Sequence, residues 1–389
     1  MTEAWKQQQP YAYWLECVRG LGRGTRWELT ERAGSPKAVY DMPEEEWREI
    51  LPEKKRKALG QARAEMNPEE IYLQFCRHPV RYVPNTHPGY PARLKKIPDP
   101  PFGIFLWGEL PPPGQPAVAV IGARECSEYG RYVAERTAME LAAAGVCVIS
   151  GMARGIDGIS QRAALRAGGK SFAVLGSGAD VCYPPENKNL YETLKTRGGI
   201  LSEYLPGTQP KAGLFPQRNR IISGLADIVL IVEARERSGT LITADMALEQ
   251  GKEVWVVPGR LTDPLSAGCN RLMKQGAGIL TSVEEMLEET GLRTCHTDGG
   301  GYIGREPEKT GKAPCREGET FPDMAPEGKS AGIFLHLDDY PKSVEQLQRE
   351  SGMEYRQTVC ELMELCVENR AEQVSAGQYV RKHKADGKL

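Results

Sequence analysis

Between residues 117 and 288 the chain alternates short, unbroken apolar runs with helix-length stretches whose apolar residues keep to one face. The runs are Ala117–Ile121, Val146–Ile149, Phe172–Leu175, Ile200–Leu201, Ile228–Val232 and Val254–Val257. A strand with one wet face alternates apolar and polar residues, whereas unbroken runs separated by helices belong to parallel strands covered on both sides. The pattern predicts an α/β fold, a doubly wound, mostly parallel sheet. Residues 1–78 show helical spacing, as in Trp14, Leu15, Val18 and Leu21, around the turn Gly20-Leu21-Gly22-Arg23-Gly24, and predict a small N-terminal helical domain. Residues 79–116 contain Pro79, Pro84, Pro88, Pro91, Pro98, Pro100, Pro101 and Pro111-Pro112-Pro113. Proline fixes φ and removes a donor, so this stretch reads as a connector without helix or central strand. Residues 289–330 are too poor in bulky aliphatics to offset chain entropy and predict a flexible linker. Residues 331–389 resume helical spacing and end in a run that folds back around Gly377, predicting a C-terminal winged helix.

Composition narrows the function. At 389 residues, 40% hydrophobic and 26% charged, with 50 Lys+Arg against 52 Asp+Glu, the chain has no global basic field to announce a nucleic-acid or membrane partner. Any such partner must meet a local site. No apolar stretch approaches the roughly 18–20 residues that span a bilayer, and the start MTEAWKQQQPYAYW is unlike a secretory signal, so a cytoplasmic protein away from membranes is expected. Ten cysteines without a C-x-x-C pair and five scattered histidines predict reduced thiols, no metal and no cofactor.

Chemistry concentrates where strands end. The first run leads into Gly122-Ala123-Arg124, with Ser127 opening the next helix; the second into Ser150-Gly151-Met152-Ala153-Arg154-Gly155-Ile156-Asp157. The third leads into Gly176-Ser177-Gly178, then Tyr183 and Lys188, and a later one into Arg237-Ser238-Gly239-Thr240. Small residues beside basic ones at the ligand edge of such a sheet favour a phosphate-bearing ligand. The dinucleotide fingerprint is missing, because the turn after Gly122 lacks the second and third glycines. The only G-K-[ST] triplet of the α/β region, Gly169-Lys170-Ser171, has Ala164 where a Walker loop needs glycine. Within the α/β region no G-x-S-x-G occurs, and no histidine falls there to serve as a general base. The most polar segment, Phe215-Pro216-Gln217-Arg218-Asn219-Arg220, reads as a loop before a helix, placing two guanidinium forks for successive phosphates; the competing reading pairs one arginine with Glu203 or Asp227.

These motifs, together with Val174-Leu175-Gly176, Leu201-Ser202-Glu203, Ile221-Ile222-Ser223-Gly224, Val232-Glu233-Ala234, Leu241-Ile242-Thr243-Ala244 and Val257-Pro258-Gly259, resemble the DNA-processing protein A (DprA, also Smf) family. The resemblance implies an extended Rossmann-like domain that binds single-stranded DNA, protects it and helps load the RecA recombinase in natural transformation. It implies a non-enzymatic protein, homodimeric through that domain, flanked by a sterile-alpha-motif-like or helix-hairpin-helix-like N-terminal domain and a winged helix. Carried over, the DNA site comprises Arg124, Lys188, Arg218, Asn219 and Arg220, with Gly122, Ser127, Ser150, Gly151, Arg154, Gly155, Gly176, Gly178, Ser238, Gly239 and Thr240 at its turns and Tyr183 or Phe215 stacking on a base. Four phosphate contacts, by Arg124, Lys188, Arg218 and Arg220, predict a slope of roughly −3 in log affinity against log salt. Gln161 stands where the family often has histidine, the stretch around Gly299–Gly301 is unmatched, and Asn369-Arg370-Ala371 replaces a short apolar turn.

Two alternatives compete. The sheet also resembles phosphoribohydrolases with a G-G-x-G-T-x-x-E loop, but Thr243 stands at the glutamate position. Transcriptional regulation through the winged helix meets a charge problem: residues 331–389 hold eight Lys/Arg against ten Asp/Glu, with Glu354, Glu361 and Glu364 on the recognition helix, which favours a protein partner over duplex DNA.

Overall fold

The computed structural model describes residues 4–292, 331–338, 342–368, 370–375 and 378–382, in two units, Met1–Gly301 and Tyr302–Leu389. The first begins with six helices, α1 (Ala4–Cys17), α2 (Arg23–Ala33), α3 (Pro36–Asp41), α4 (Glu44–Ile50), α5 (Glu53–Glu65) and α6 (Pro68–Phe75). Strands β1 (Arg81–Pro84), β2 (Gly103–Gly108) and β3 (Ala117–Ile121) follow. Then come α7 (Glu128–Ala143), β4 (Cys147–Ser150), α8 (Ile156–Arg166), β5 (Ser171–Leu175), α9 (Lys188–Arg197) and β6 (Gly198–Ser202). The unit closes with α10 (Leu214–Leu225), β7 (Ile228–Ile231), α11 (Gly239–Glu249), β8 (Glu253–Val256), α12 (Ala267–Lys274), β9 (Gly278–Ile279) and α13 (Val283–Glu289).

All six apolar runs are strands of one nine-stranded sheet, ordered β1-β2-β6-β5-β4-β3-β7-β8-β9. From β6 to β9 every neighbouring pair is parallel. Burial on both faces shows in β3: Ala117, Ala119 and Ile121 enter one core with Ile221 and Leu225 of α10, while Val118 and Val120 enter another with Ala134, Ala138 and Leu141 of α7.

The stretch 79–116 is not a bare connector. β2 pairs antiparallel with β6, and β1 with β2 at the rim, so this stretch supplies two strands. Its prolines sit where they do no harm: Pro84 ends an edge strand, and Pro100, Pro101 and Pro111 bracket Gly103–Gly108 without entering it. Nor do the N-terminal helices stand apart, since Trp14, Leu15 and Trp47 share a core with Phe105 of β2, Leu175 of β5 and Leu190 of α9.

Burying helices against this face encloses charge. Glu16 is 5% exposed and lies 2.6 Å from Arg26. Burial nevertheless lifts its carboxyl to about 7, Arg26 pulling against the rise and Glu203 adding to it. A carboxyl raised in the folded state favours folding while protonated, and that contribution disappears as pH rises from its unfolded value of 4.5 through 7. Between about pH 5 and pH 8, urea unfolding should show wild type losing roughly 3 kcal/mol more stability than Glu16→Gln. Equal losses in the two proteins would contradict this assignment.

In the second unit, α14 (Ala331–Phe334), β10 (Lys342–Ser343), α15 (Val344–Ser351), α16 (Tyr355–Val367), β11 (Ala371–Ser375) and β12 (Gln378–Arg381) surround Ile333, Leu337, Leu347, Leu362 and Leu365. The sheet order is β10-β12-β11, with β11 and β12 antiparallel. Of the linker expected over residues 289–330, Glu289 belongs to α13 and residues 293–330, with Gly299–Gly301, lie outside the described residues, as does the turn expected at Gly377.

Candidate functional site

The chain leaves β3 toward β4, β5 and β6 on one side and returns to β7, β8 and β9 on the other, so β3 and β7 flank the point where strand order reverses. Beyond the carboxyl ends of strands at such a point, the connections diverge and leave a crevice. Here it is a groove of about 520 Å³ whose lining includes Gly122 and Arg124 after β3, Tyr183, then Phe215, Arg218 and Asn219 of α10, and Ser238, Gly239 and Thr240 at the start of α11. A larger groove of about 1100 Å³ between α7 and α13 has Tyr129, Tyr132 and Leu287 with mixed charges, Arg136, Glu140, Glu284 and Glu288, and no converging cations.

Close backbone approach builds the groove. Gly155 has φ +68, and a Cβ there would stand 2.5 Å from the Arg124 carbonyl oxygen and closer still to that of Ala123. Ile156 N–H donates to the Ala123 carbonyl at 3.2 Å, so α8 starts directly against the end of β3. Ile156 fills the space a Gly122 side chain would need, and the Thr240 hydroxyl donates to the Gly122 carbonyl at 3.3 Å. Ser238 caps α11 by accepting from Thr240 N–H.

The side chains form a stack. Arg124 is exposed, and its guanidinium lies 5.6 Å from the Phe215 ring centre; Tyr183, 39% exposed, lies 5.5 Å from the same ring. Phe215 rests on Gly176, where a Cβ would come within 2.8 Å of it. Arg218 sits beneath, 5% exposed, donating to the carbonyls of Gly151 and Val174 and to Asn219 Oδ1. Its charge is faced by Asp157, 6% exposed, whose carboxylate accepts from Gly151 N–H at 3.1 Å. Burial pulls the Arg218 guanidinium down to about 10, still charged at neutral pH, and pushes Asp157 up, each partner opposing the other's shift.

Other expected residues do not line the groove. Arg218, Asn219 and Arg220 lie within helix α10 instead of a loop before it. Arg220 points to the opposite side, is 5% exposed and gives both oxygens of Glu203 hydrogen bonds of 2.6 Å, so the ion-pair reading holds for it. Lys188 opens α9, exposed and outside the lining; Arg154 is exposed and paired with Glu186. Ser127 caps α7 and bonds Glu233, Ser150 is fully buried with its hydroxyl on the Val120 carbonyl, and Gly178 packs against Asp180. Sequence reasoning singled out Gln161 without giving it a role: it is fully buried, and its Oε1 accepts from Met152 N–H at 3.1 Å; Met152 has φ +53, and Asn187 Nδ2 donates to its carbonyl at 3.0 Å. Their positions after Gly-Ile-Asp and Tyr-Pro were the available signal.

Residues 81–291 match the profile described as DNA recombination-mediator protein A. The chain belongs to this family. It is 44% identical over 200 residues to the DNA processing protein DprA of Streptococcus pneumoniae, spanning 51% of this chain and 71% of that protein. Over 306 residues it is 37% identical to protein Smf of Escherichia coli, 78% of each chain. The X-ray structure of DNA processing protein A from Streptococcus pneumoniae is similar with a TM-score of 0.66 and 33% identity, covering 72% of this chain and 97% of that one. The DprA match starts at the first residue of β1, so the two rim strands belong to the family's sheet.

Proposed function

We propose that this DprA family member binds single-stranded DNA in the groove at the β3–β7 reversal, protects it and presents it to the RecA recombinase in transformation and recombination. The carrying observation is the stack of exposed Arg124, Phe215 and half-exposed Tyr183 over buried, charged Arg218. A cation at the rim suits a phosphate, the rings suit a base in any sequence, and stripping a base from a duplex is needed to use both. The reading is of a binding protein without catalytic chemistry: Asp157, the carboxylate in the lining, is committed to Gly151 and Arg218, and the wall position that would need glutamate is Thr243, 3% exposed. Homodimerisation through the Rossmann-like domain is part of the proposal, and exposed Ile279 on the edge strand β9 supports it. So is a winged helix, formed by α15, α16 and the β11–β12 pair, that binds protein.

With Lys188 and Arg220 outside the groove, two cations remain, and the salt slope falls to roughly −1.4 from about 0.7 per contact. Fluorescence anisotropy with an oligonucleotide of about 30 bases should show single-strand preference, and Arg124→Ala should weaken binding roughly tenfold and flatten the slope by about 0.7. Equal affinity for duplex, or cleavage of a free nucleotide, would sink the reading.

A further inference from the structure

Helix α10 has two working faces. Phe215, Arg218, Asn219 and Ile222, at helical spacing, line the groove. The back carries Arg220 and Gly224, and a Cβ on Gly224 would come within 2.9 Å of Ile97, so this face lies tight against the 94–99 segment. Arg220 reaches two carboxylates: both oxygens of Glu203 at the end of β6, and Asp99 at 3.2 Å. Its remaining nitrogen, Nη1, is buried without a partner, so the guanidinium is oriented by those two acids alone. Asp99 is itself held by Arg23, whose Nε donates to its other oxygen at 2.6 Å from the first turn of α2. Arg23 also stands 3.8 Å from Glu203. Nearby, Trp27 of α2 donates to the Pro100 carbonyl at 3.0 Å and packs edge-on against Phe102. Burial pushes the Asp99 carboxyl up, but Arg23 and Arg220 together hold it below its usual range, so it stays ionised through the neutral region.

Resting on the reading of the groove given above, we propose that Arg220 is a positioning residue, and that the charge chain Arg23–Asp99–Arg220–Glu203 couples the N-terminal helices to the nucleic-acid groove by fixing the rotation of α10. A helix turns as a rigid rod. Loosening its back face therefore displaces Phe215 and Arg218 on its front together, and with Phe215 the surface on which Arg124 rests. Lysine at position 220 keeps the charge but cannot fork to two carboxylates.

The full chain tests this, in buffer where denaturation curves show each variant folded. Arg220→Lys should weaken binding to an oligonucleotide of about 30 bases roughly tenfold while keeping the wild-type salt slope, because no phosphate contact is lost. Arg23→Gln, at the partly exposed rim, should weaken it about threefold with the same slope, and this effect should vanish in an Asp99→Asn background. A flattened slope for Arg220→Lys, like that of Arg124→Ala, would mean that Arg220 meets phosphate and would overturn the positioning role. Wild-type binding by Arg220→Lys and Arg23→Gln, with Arg124→Ala defective, would overturn the coupling and leave the groove intact. Wild-type binding by Arg124→Ala as well would bring down the groove reading and the coupling with it.

Discussion

Gly155→Ala is expected to destabilise the protein by about 3 kcal/mol or more and to abolish binding in the fraction that still folds. Two costs add. The backbone at Gly155 has φ +68 and ψ −134, a region closed to side chains, and the new methyl would be driven into the Ala123 and Arg124 carbonyls. Neither side can yield cheaply, since Ala123 is tied to the start of α8 through Ile156 N–H, while Ile156 itself is fully buried against Gly122. The least costly relaxation swings the 123–124 turn outward and takes Arg124 off Phe215. Gly213→Ala is the control: it lies just before α10 with no heavy atom within 4 Å of its Cβ position and no positive φ, so melting and binding should match wild type. Comparable losses in both variants would show that the crossing at Gly155 is not the constraint.

How far the sequence announces this site depends on which signal each part leaves. The strands are legible because burial on both faces removes polar residues from them, and Gly122, Gly155 and Gly176 are legible because turns whose Cβ space is taken by Ile156, by the 123–124 backbone and by Phe215 admit little else. β2 is hidden because the prolines around it suggest a break, although none falls inside Gly103–Gly108. The helix over Arg218–Arg220 is the instructive miss. Two residues apart in a loop, both arginines reach one ligand; on a helix they are about 200° apart, and one must face away. Phe215, Arg218, Asn219 and Ile222 already carry helical spacing, which was the clue. Glu203 was already among the acids the sequence offers as a partner; what no pattern discloses is Asp99, brought to Arg220 by a segment over a hundred residues upstream.

Arg218→Ala carries the other large effect. It removes the cation from a pocket in which burial already pushes the Asp157 carboxyl up, leaving an ionised group enclosed without a countercharge, at a cost of about 3–5 kcal/mol near neutral pH. The direction with pH follows from linkage. Without Arg218 the folded-state value of Asp157 rises further above its unfolded value of 3.8, so the variant's stability is best in acid and declines as pH rises through the folded value. Its deficit against wild type should therefore be smaller near about pH 5 than near pH 8. Adding Asp157→Asn removes the orphaned charge and should recover a large part of the lost stability but not DNA binding, since the buried positive charge of the groove is still missing. Urea unfolding of wild type, Arg218→Ala, Asp157→Asn and the double variant at both pH values, alongside anisotropy, separates the two roles. A deficit independent of pH and untouched by Asp157→Asn would mean that Arg218 acts through the Gly151 and Val174 carbonyls, as a tie between β4 and β5, and not through charge.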